Sequence, residues 1–226
     1  MAVRISRLVK RMWRPFGVAI DSFFDWRLGI KTSGHILLHR LGLSKTGTQD
    51  CVWYQPSPPS GVVRLLASIC FDLSRFTFVD FGAGRGRVLL LAARLPFRQV
   101  VGVEFSAQLC DDATKNLVRL FPDQVASGRV RIVCEDARTF AFPETDVCAY
   151  MFTPFKGNVL TEVLARLRNH SLKGFRVIIL YCGRNKGVIE ALDSLRWVRW
   201  DVGRCFSWID LRHYKLLVYD SGEVCS

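Results

Sequence analysis

The feature that most constrains the fold is a glycine-rich turn between a buried strand and a helix. Residues 78–81 are apolar apart from Asp80, residues 82–87 alternate glycine with other residues, and residues 99–104 form a second, largely apolar run that ends in Glu104. This order of strand, turn, helix, strand and acidic residue is typical of a small-molecule site at the carboxyl edge of a parallel sheet. A ligand that contains a nucleoside is the expected occupant.

The spacing of the glycines distinguishes this turn from a dinucleotide-binding turn. A dinucleotide fingerprint has glycine at the first, third and sixth positions. Here the sixth position is Arg87, and the glycines are Gly82, Gly84 and Gly86. Glycine permits a positive φ and lets a ligand approach the backbone without an intervening Cβ. A helix that begins near Gly86 also offers free N–H groups and the positive end of its dipole to an anion.

Apolar strands and helices alternate along the rest of the chain. Strands are predicted at 76–81, 99–104, 130–134, 146–152, 176–181, 197–202 and 214–219, and helices at 87–95, 107–121, 158–167 and 188–195. Such repeated strand–helix units predict an α/β fold with a parallel sheet covered by helices on both faces. The last two strands have no long helix between them, so we expect an antiparallel hairpin there.

A proline-rich stretch, residues 54–60, marks the entry into the main domain. We therefore predict a basic N-terminal helical extension over residues 1–53 and a single domain over residues 54–226, with Ser60 as the N-cap of its first helix. A chain of 226 residues is long enough for one domain with a full core. Half of its residues are hydrophobic, which excludes a disordered protein.

Residues 1–16 have the pattern of a basic amphipathic helix, with five basic residues and no acidic one. In a helix, the arginines at 4, 7, 11 and 14 lie opposite an apolar face. Such a helix binds an anionic membrane or phosphates, although its apolar face would equally well pack on the main domain, and organellar transit peptides have a similar composition. Residues 1–50 carry nine Lys or Arg against three Asp, a net +6 of the formal +12.

The segments 79–93 and 96–106, together with the upstream Tyr54-x-Pro56-Ser57 element, resemble a bacterial group of class I S-adenosylmethionine-dependent methyltransferases. The order Asp-x-Gly-x-Gly-x-Gly is similar to the first motif of that class. The resemblance implies a Rossmann-like fold: a seven-stranded, mostly parallel sheet with an antiparallel final strand and helices on both faces. It also implies that S-adenosylmethionine is the cofactor.

The resemblance further implies roles for individual residues. Asp80 would face the ammonium group of the cofactor, Glu104 would hold the ribose and Phe105 would lie against the adenine. Asp136 would accept from the exocyclic amine, although an Asp in a loop is also commonly a turn or helix cap. The complete set of expected cofactor-binding residues is Asp80, Gly82, Ala83, Gly84, Gly86, Glu104, Phe105, Asp136, Ala137 and Thr153.

The sequence departs from base-amine methyltransferases at the end of the fourth predicted strand. Those enzymes carry Asn or Asp followed by Pro-Pro and an aromatic residue, whereas this chain has Thr153-Pro154-Phe155. A threonine hydroxyl accepts a hydrogen bond through its single oxygen. An amide accepts through its oxygen and donates through a separate nitrogen, and threonine cannot replace both functions. This departure counts against methylation of a nucleic-acid base.

No catalytic base is identified from the sequence, since the four histidines show no informative spacing. Tyr54, Thr153 and Tyr181 are weak candidates for catalytic residues. Tyr54, Phe155, Tyr181 and Trp208 would either line an aromatic slot for an amine, through cation–π contacts, or simply pack in the core.

Three functions follow, and each has a feature in its favour. The first is a methyltransferase that acts on an amine-bearing acceptor such as a protein lysine. The second is an RNA or DNA methyltransferase, favoured by the positive charge. The third is a non-catalytic module that docks on a membrane or nucleic acid through its basic N-terminal helix. A lipid methyltransferase combines the first and third.

The eight cysteines show no metal-binding or redox spacing. We interpret them as small buried hydrophobes in a reducing compartment, and we predict no metal site. Since no apolar run reaches the roughly 18 residues of a membrane span and no secretory signal is recognisable, we expect a cytoplasmic protein, peripheral at a membrane if the N-terminal helix binds one.

Overall fold

The structure is a computed structural model that describes residues 23, 25–34, 54–152, 155–207 and 212–222. The predicted N-terminal helix over residues 1–16, and also Thr153 and Trp208, lie outside the described residues. No helix in the described part of the chain is both long and apolar enough to cross a lipid bilayer.

Seven strands form one sheet in the order β3-β2-β1-β4-β5-β7-β6. Strands β1 to β5 are parallel, and β7 is antiparallel to both of its neighbours, β5 and β6. The strand bounds are β1 Phe76–Phe81, β2 Gln99–Glu104, β3 Val130–Cys134, β4 Asp146–Met151, β5 Val177–Gly183, β6 Val198–Ser207 and β7 Arg212–Asp220. The predicted fold and the antiparallel final hairpin are confirmed.

Helices cover both faces of the sheet. Their bounds are α1 Pro59–Ala67, α2 Arg87–Ala92, α3 Ala107–Leu120, α4 Pro122–Ala126, α5 Gly157–Leu172 and α6 Lys186–Asp193, with a 3₁₀ turn at Leu73–Arg75. One core lies under α1, α2 and α3, and a second lies under α5 and α6. The inner strands β1 and β5 are buried along their whole length, because helices cover both of their faces.

Some element boundaries differ from the predictions. The prediction of Ser60 as N-cap is wrong, because α1 already begins at Pro59, whose fixed φ and missing N–H suit the first helical position. The last two strands are longer than predicted: β6 continues to Ser207 past a register shift between Asp201 and Gly203, a bulge that keeps the strand paired with β7. The short helix α4 was not predicted.

The described cysteines are free thiols, but the prediction that they are buried holds for only four of the six. Cys110, Cys148, Cys182 and Cys205 are buried, whereas Cys70 and Cys134 are exposed. Burial raises the pKa of the Cys148 thiol well above its ordinary value. The buried cysteines therefore act as small apolar side chains in the core.

Candidate functional site

The carboxyl ends of β1 and β2 hold the glycine-rich turn. Gly82, Gly84 and Gly86 have φ values of 73°, 53° and 81°, so all three adopt left-handed backbone that disfavours side chains. The N–H groups of Gly82 and Ala83 donate to the carbonyl of Val103 in β2, at 2.9 and 3.1 Å. The turn is therefore fixed to the neighbouring strand as well as to its own.

The space beside Gly84 is filled by a protein side chain. A Cβ at this position would lie 2.3 Å from Cε2 of Tyr54, whose ring packs against the turn. The hydroxyl of Tyr54 donates to the backbone carbonyl of Thr32. Gly84 thus lacks a side chain because Tyr54 needs the room, a reason that the motif alone does not reveal.

Asp80 is the next-to-last residue of β1, two positions before Gly82, and it is only 2% exposed. Its Oδ2 atom is buried and has no hydrogen-bond partner among the described residues. Burial, reinforced by the neighbouring Glu104, raises the pKa of the Asp80 carboxyl well above its ordinary value of 3.8. A buried, unpartnered carboxylate oxygen is costly for a protein, and a cationic ligand group would satisfy it.

Glu104 ends β2 beside Asp80 and joins the turn to α3. Its Oε2 accepts from the N–H of Gly84 at 2.9 Å, and its Oε1 accepts from the N–H of Ser106 at 3.0 Å. Burial raises the pKa of Glu104, and these N–H groups oppose that shift. A carboxylate has about four acceptor positions, so both oxygens retain capacity for hydroxyl groups of a ligand.

Two further predicted residues lie at the ends of β2 and β3. Phe105 follows Glu104 and keeps 37% of its surface exposed. Asp136 forms an ion pair with Arg138 at 2.7 Å and also accepts from the Arg138 N–H. The Arg138 side chain lowers the pKa of Asp136. Asp136 therefore already stabilises its own turn, while Ala137 is half-buried behind it.

Among the described residues, Tyr54 is separated from the other candidate rings, Phe155 and Tyr181. Tyr54 packs behind the turn, whereas Tyr181 and Phe155 lie in the core under α5 and α6, on the opposite face of the sheet. Tyr181 is completely buried. His170 also belongs to that side, stacked on Phe175 with ring centroids 4.7 Å apart. The described residues thus favour core packing for these rings.

Sequence reasoning missed the contribution of residues 25–34, which we name the N-terminal strap. The strap lies against the glycine-rich turn and binds two of its side chains, Arg85 and Arg87. A signal was present in the sequence: two arginines within a short turn require counter-charges or carbonyl groups. The position of those partners, more than 50 residues upstream, could not be read from the pattern.

The chain has the same fold as solved structures that include methyltransferases. A dimethyladenosine transferase from Plasmodium falciparum is 13% identical with a TM-score of 0.51, over 73% of this chain and 62% of that chain. A geranyl diphosphate C-methyltransferase from Streptomyces coelicolor A3(2), in complex with Mg2+, geranyl diphosphate and S-adenosyl-L-homocysteine, is 17% identical with a TM-score of 0.50, over 72% and 77%. The chain spans less than two thirds of the first of these proteins. No curated protein sequence matches it significantly.

The sheet order and the antiparallel β7 define the Rossmann-like fold of class I methyltransferases. Residues 78–173, which contain the turn, Glu104 and the region of Asp136, match the family described as methyltransferase domain. The fold and this match are those expected of a class I S-adenosylmethionine-dependent methyltransferase domain. The predicted fold is confirmed, and the match agrees with the predicted class of enzyme.

Proposed function

We propose that the carboxyl edge of β1 and β2 binds S-adenosylmethionine and that Asp80 receives its ammonium group. The unpartnered, buried Oδ2 atom of Asp80 is the observation that supports this role most strongly. A cation beside it removes the penalty of the desolvated carboxylate. The residues Gly82, Ala83, Gly84 and Gly86 shape the turn that accepts the methionyl part of the cofactor.

The adenosine part is assigned to the ends of β2 and β3. Glu104 accepts from the ribose hydroxyls with the capacity that its two backbone partners leave, and the exposed ring of Phe105 stacks on the adenine. Asp136 accepts from the adenine amine, with Ala137 beside it. Thr153 belongs to the same proposed set by its position after β4.

The acceptor that we propose is an amine, with protein lysine as the first choice. When bound, the cofactor supplies a sulfonium with an activated methyl group, so the protein must align the acceptor and exclude water. A neutral amine needs only a route for its proton, whereas a weaker nucleophile needs a general base. The proposal is supported by the sequence Thr153-Pro154, which lacks the amide of base-amine methyltransferases.

Two measurements test this function in order. Calorimetric titration of the full chain with S-adenosylmethionine should give a dissociation constant in the micromolar range, and Asp80→Ala should abolish the binding. Transfer of labelled methyl groups to cell extract is then followed in protein, RNA and lipid fractions. Label in protein supports the amine acceptor. Label in RNA would support the nucleic-acid alternative, and lack of any cofactor binding would favour a docking module.

We also propose that the basic N-terminal extension contacts an anionic surface, because residues 1–50 hold half of the net charge of the chain. The test replaces the arginines at positions 4, 7, 11 and 14 with glutamine. Deletion of the whole extension, residues 1–53, would also remove the N-terminal strap. Weaker co-sedimentation with vesicles of phosphatidylserine and phosphatidylcholine supports a membrane. Unchanged co-sedimentation with weaker RNA binding would instead point to nucleic acid.

A further inference from the structure

The N-terminal strap contacts the glycine-rich turn through buried charges. Asp25 and Arg87 are only 4% and 2% exposed, and their charged groups lie 3.4 Å apart. The Asp25 carboxylate also accepts from the backbone N–H groups of Thr32 and Ser33, each at 2.6 Å. This one carboxylate therefore folds the strap back on itself and neutralises the guanidinium of the residue that follows Gly86.

Thr32 connects this ion pair to the other side of the turn. Its hydroxyl donates to Asp25 at 2.6 Å and accepts from Nε of Arg87 at 2.7 Å. Its backbone carbonyl accepts from the hydroxyl of Tyr54, the ring that fills the space beside Gly84. A shift of Thr32 would therefore be transmitted to Gly84 and to Arg87.

A second group of contacts holds the middle of the turn. The guanidinium of Arg85 donates to the carbonyl of Ser33 at 2.8 Å and to the carboxylate of Asp112 at 2.9 Å. The side-chain amide of Asn116 accepts from the Lys31 N–H and donates to the Arg85 carbonyl, both at 3.0 Å. The strap thus binds the side chain of Arg85 directly, through Ser33. It holds the backbone of Arg85 indirectly, through Asn116.

Buried ion pairs contribute little to stability compared with apolar residues of the same volume, because both charges lose their hydration. What they provide is a defined geometry. A turn with three glycines has many alternative conformations, and a ligand that selects one of them loses affinity unless the protein already holds it. The strap adds such a restraint to the hydrogen bonds that already join the turn to β2.

We propose that the strap is a working part of the cofactor site and that Asp25 is a positioning residue, which holds the turn in its binding conformation through Arg87 and Thr32. This role rests on the proposed binding of the cofactor by the turn. Residues outside the matched methyltransferase region, 78–173, would then determine how tightly the cofactor binds.

The test uses the full chain and S-adenosylhomocysteine as the probe. Asp25→Asn should weaken its binding by about tenfold or more, as expected when a hydrogen-bonded buried charge loses its partner. Amide hydrogen exchange at residues 82–86 should become faster in the ligand-free variant. Asp25→Glu, which keeps the charge, should recover part of the affinity.

Asp220→Asn is the matched control. Asp220 is about as buried as Asp25 and pairs with Arg176 at 2.6 Å, but it ends β7 at the edge of the sheet opposite to the site. This variant should lose thermal stability without a change in cofactor affinity. The double variant Asp25→Asn with Arg87→Gln has no unpaired charge, so it should regain thermal stability while its binding stays weak.

Affinity within twofold of wild type in a folded Asp25→Asn variant would overturn the positioning role and leave the strap a stability element. If Asp25→Asn does not fold, Thr32→Val retains both charges and should still weaken binding by about threefold, the value of one hydrogen bond; unchanged binding there would overturn the role equally. Wild-type protein that binds no S-adenosylhomocysteine would overturn the cofactor site and the positioning role together.

Discussion

The two faces of the sheet differ in the charged side chains that they bury. The face under α1, α2 and α3 buries charges near its carboxyl edge, among them Asp80, Arg87 and Glu104. The face under α5 and α6 packs aliphatic and aromatic residues such as Leu167, and its His170 is bonded to the backbone carbonyl of Thr145. Apolar burial stabilises a fold and buried charge opposes it. Both faces stabilise the fold through apolar burial, and we propose the first face for ligand binding because of the charges buried at its carboxyl edge.

Truncation of a core side chain in the second face should give the largest effect, and this effect should be on stability alone. Leu167 in α5 is completely buried, and Leu167→Ala should lower the free energy of unfolding by about 3 kcal/mol because it leaves a cavity. The dissociation constant for S-adenosylmethionine should stay within twofold of wild type. Urea denaturation and calorimetric titration measure the two quantities. A large loss of affinity in the folded variant would contradict the division between the faces.

The opposite pattern is expected for Asp80→Asn in the first face. Removal of the charge that faces the ammonium group should weaken binding of S-adenosylmethionine about hundredfold, the effect of breaking a buried ion pair. The ligand-free variant should melt at or above the temperature of wild type, because the desolvated carboxylate of Asp80 destabilises the fold. A variant that is destabilised yet binds normally would assign Asp80 to the structure of the turn.

The same contrast explains what could be predicted from the sequence. The strands and the order of elements follow from local periodicity, and Asp80, Gly82, Gly84, Gly86 and Glu104 lie within 25 consecutive residues. Each of these signals is local, so the sequence alone identifies the turn and its acids.

Long-range partners carry no such signal. Asp25 and Arg87 are 62 residues apart, and nothing in the sequence near either of them predicts their ion pair. The packing of Tyr54 on Gly84 is likewise set by tertiary structure. The motif thus identifies the residues of the turn that we propose for ligand binding, and the structure is needed to find the side chains that hold the turn from behind.

The pH dependence of cofactor binding gives a smaller and more specific test of the first face. The raised pKa of Asp80 means that the folded, ligand-free protein binds a proton more tightly than the unfolded chain. Its stability should therefore fall as the pH rises from the ordinary value of 3.8 through the raised one. The ammonium group favours the carboxylate, so affinity should rise over the same window, by at most about tenfold per pH unit for one proton.

Calorimetric titration at a series of pH values measures this linkage, and Asp80→Asn is its control. The variant should lose most of the slope. Because burial also raises the pKa of Glu104, a slope that survives in Asp80→Asn would assign the proton to Glu104 instead. Affinity that does not change with pH in the wild-type protein would contradict an ionisable partner for the cofactor on this face.

The smallest effect is expected at the rim of the first face, where Asp136 is solvent-accessible and already paired with Arg138. Solvent weakens an exposed carboxylate interaction, and the ion pair competes for the same oxygens. Asp136→Ala should therefore weaken S-adenosylmethionine binding by only about threefold, the value of one ordinary hydrogen bond. Asp136→Asn retains one acceptor oxygen, so its affinity for S-adenosylmethionine should lie between those of wild type and Asp136→Ala. A loss as large as that of Asp80→Asn would show that exposure does not decide the strength of a contact here, and the distinction between buried and rim carboxylates would fail.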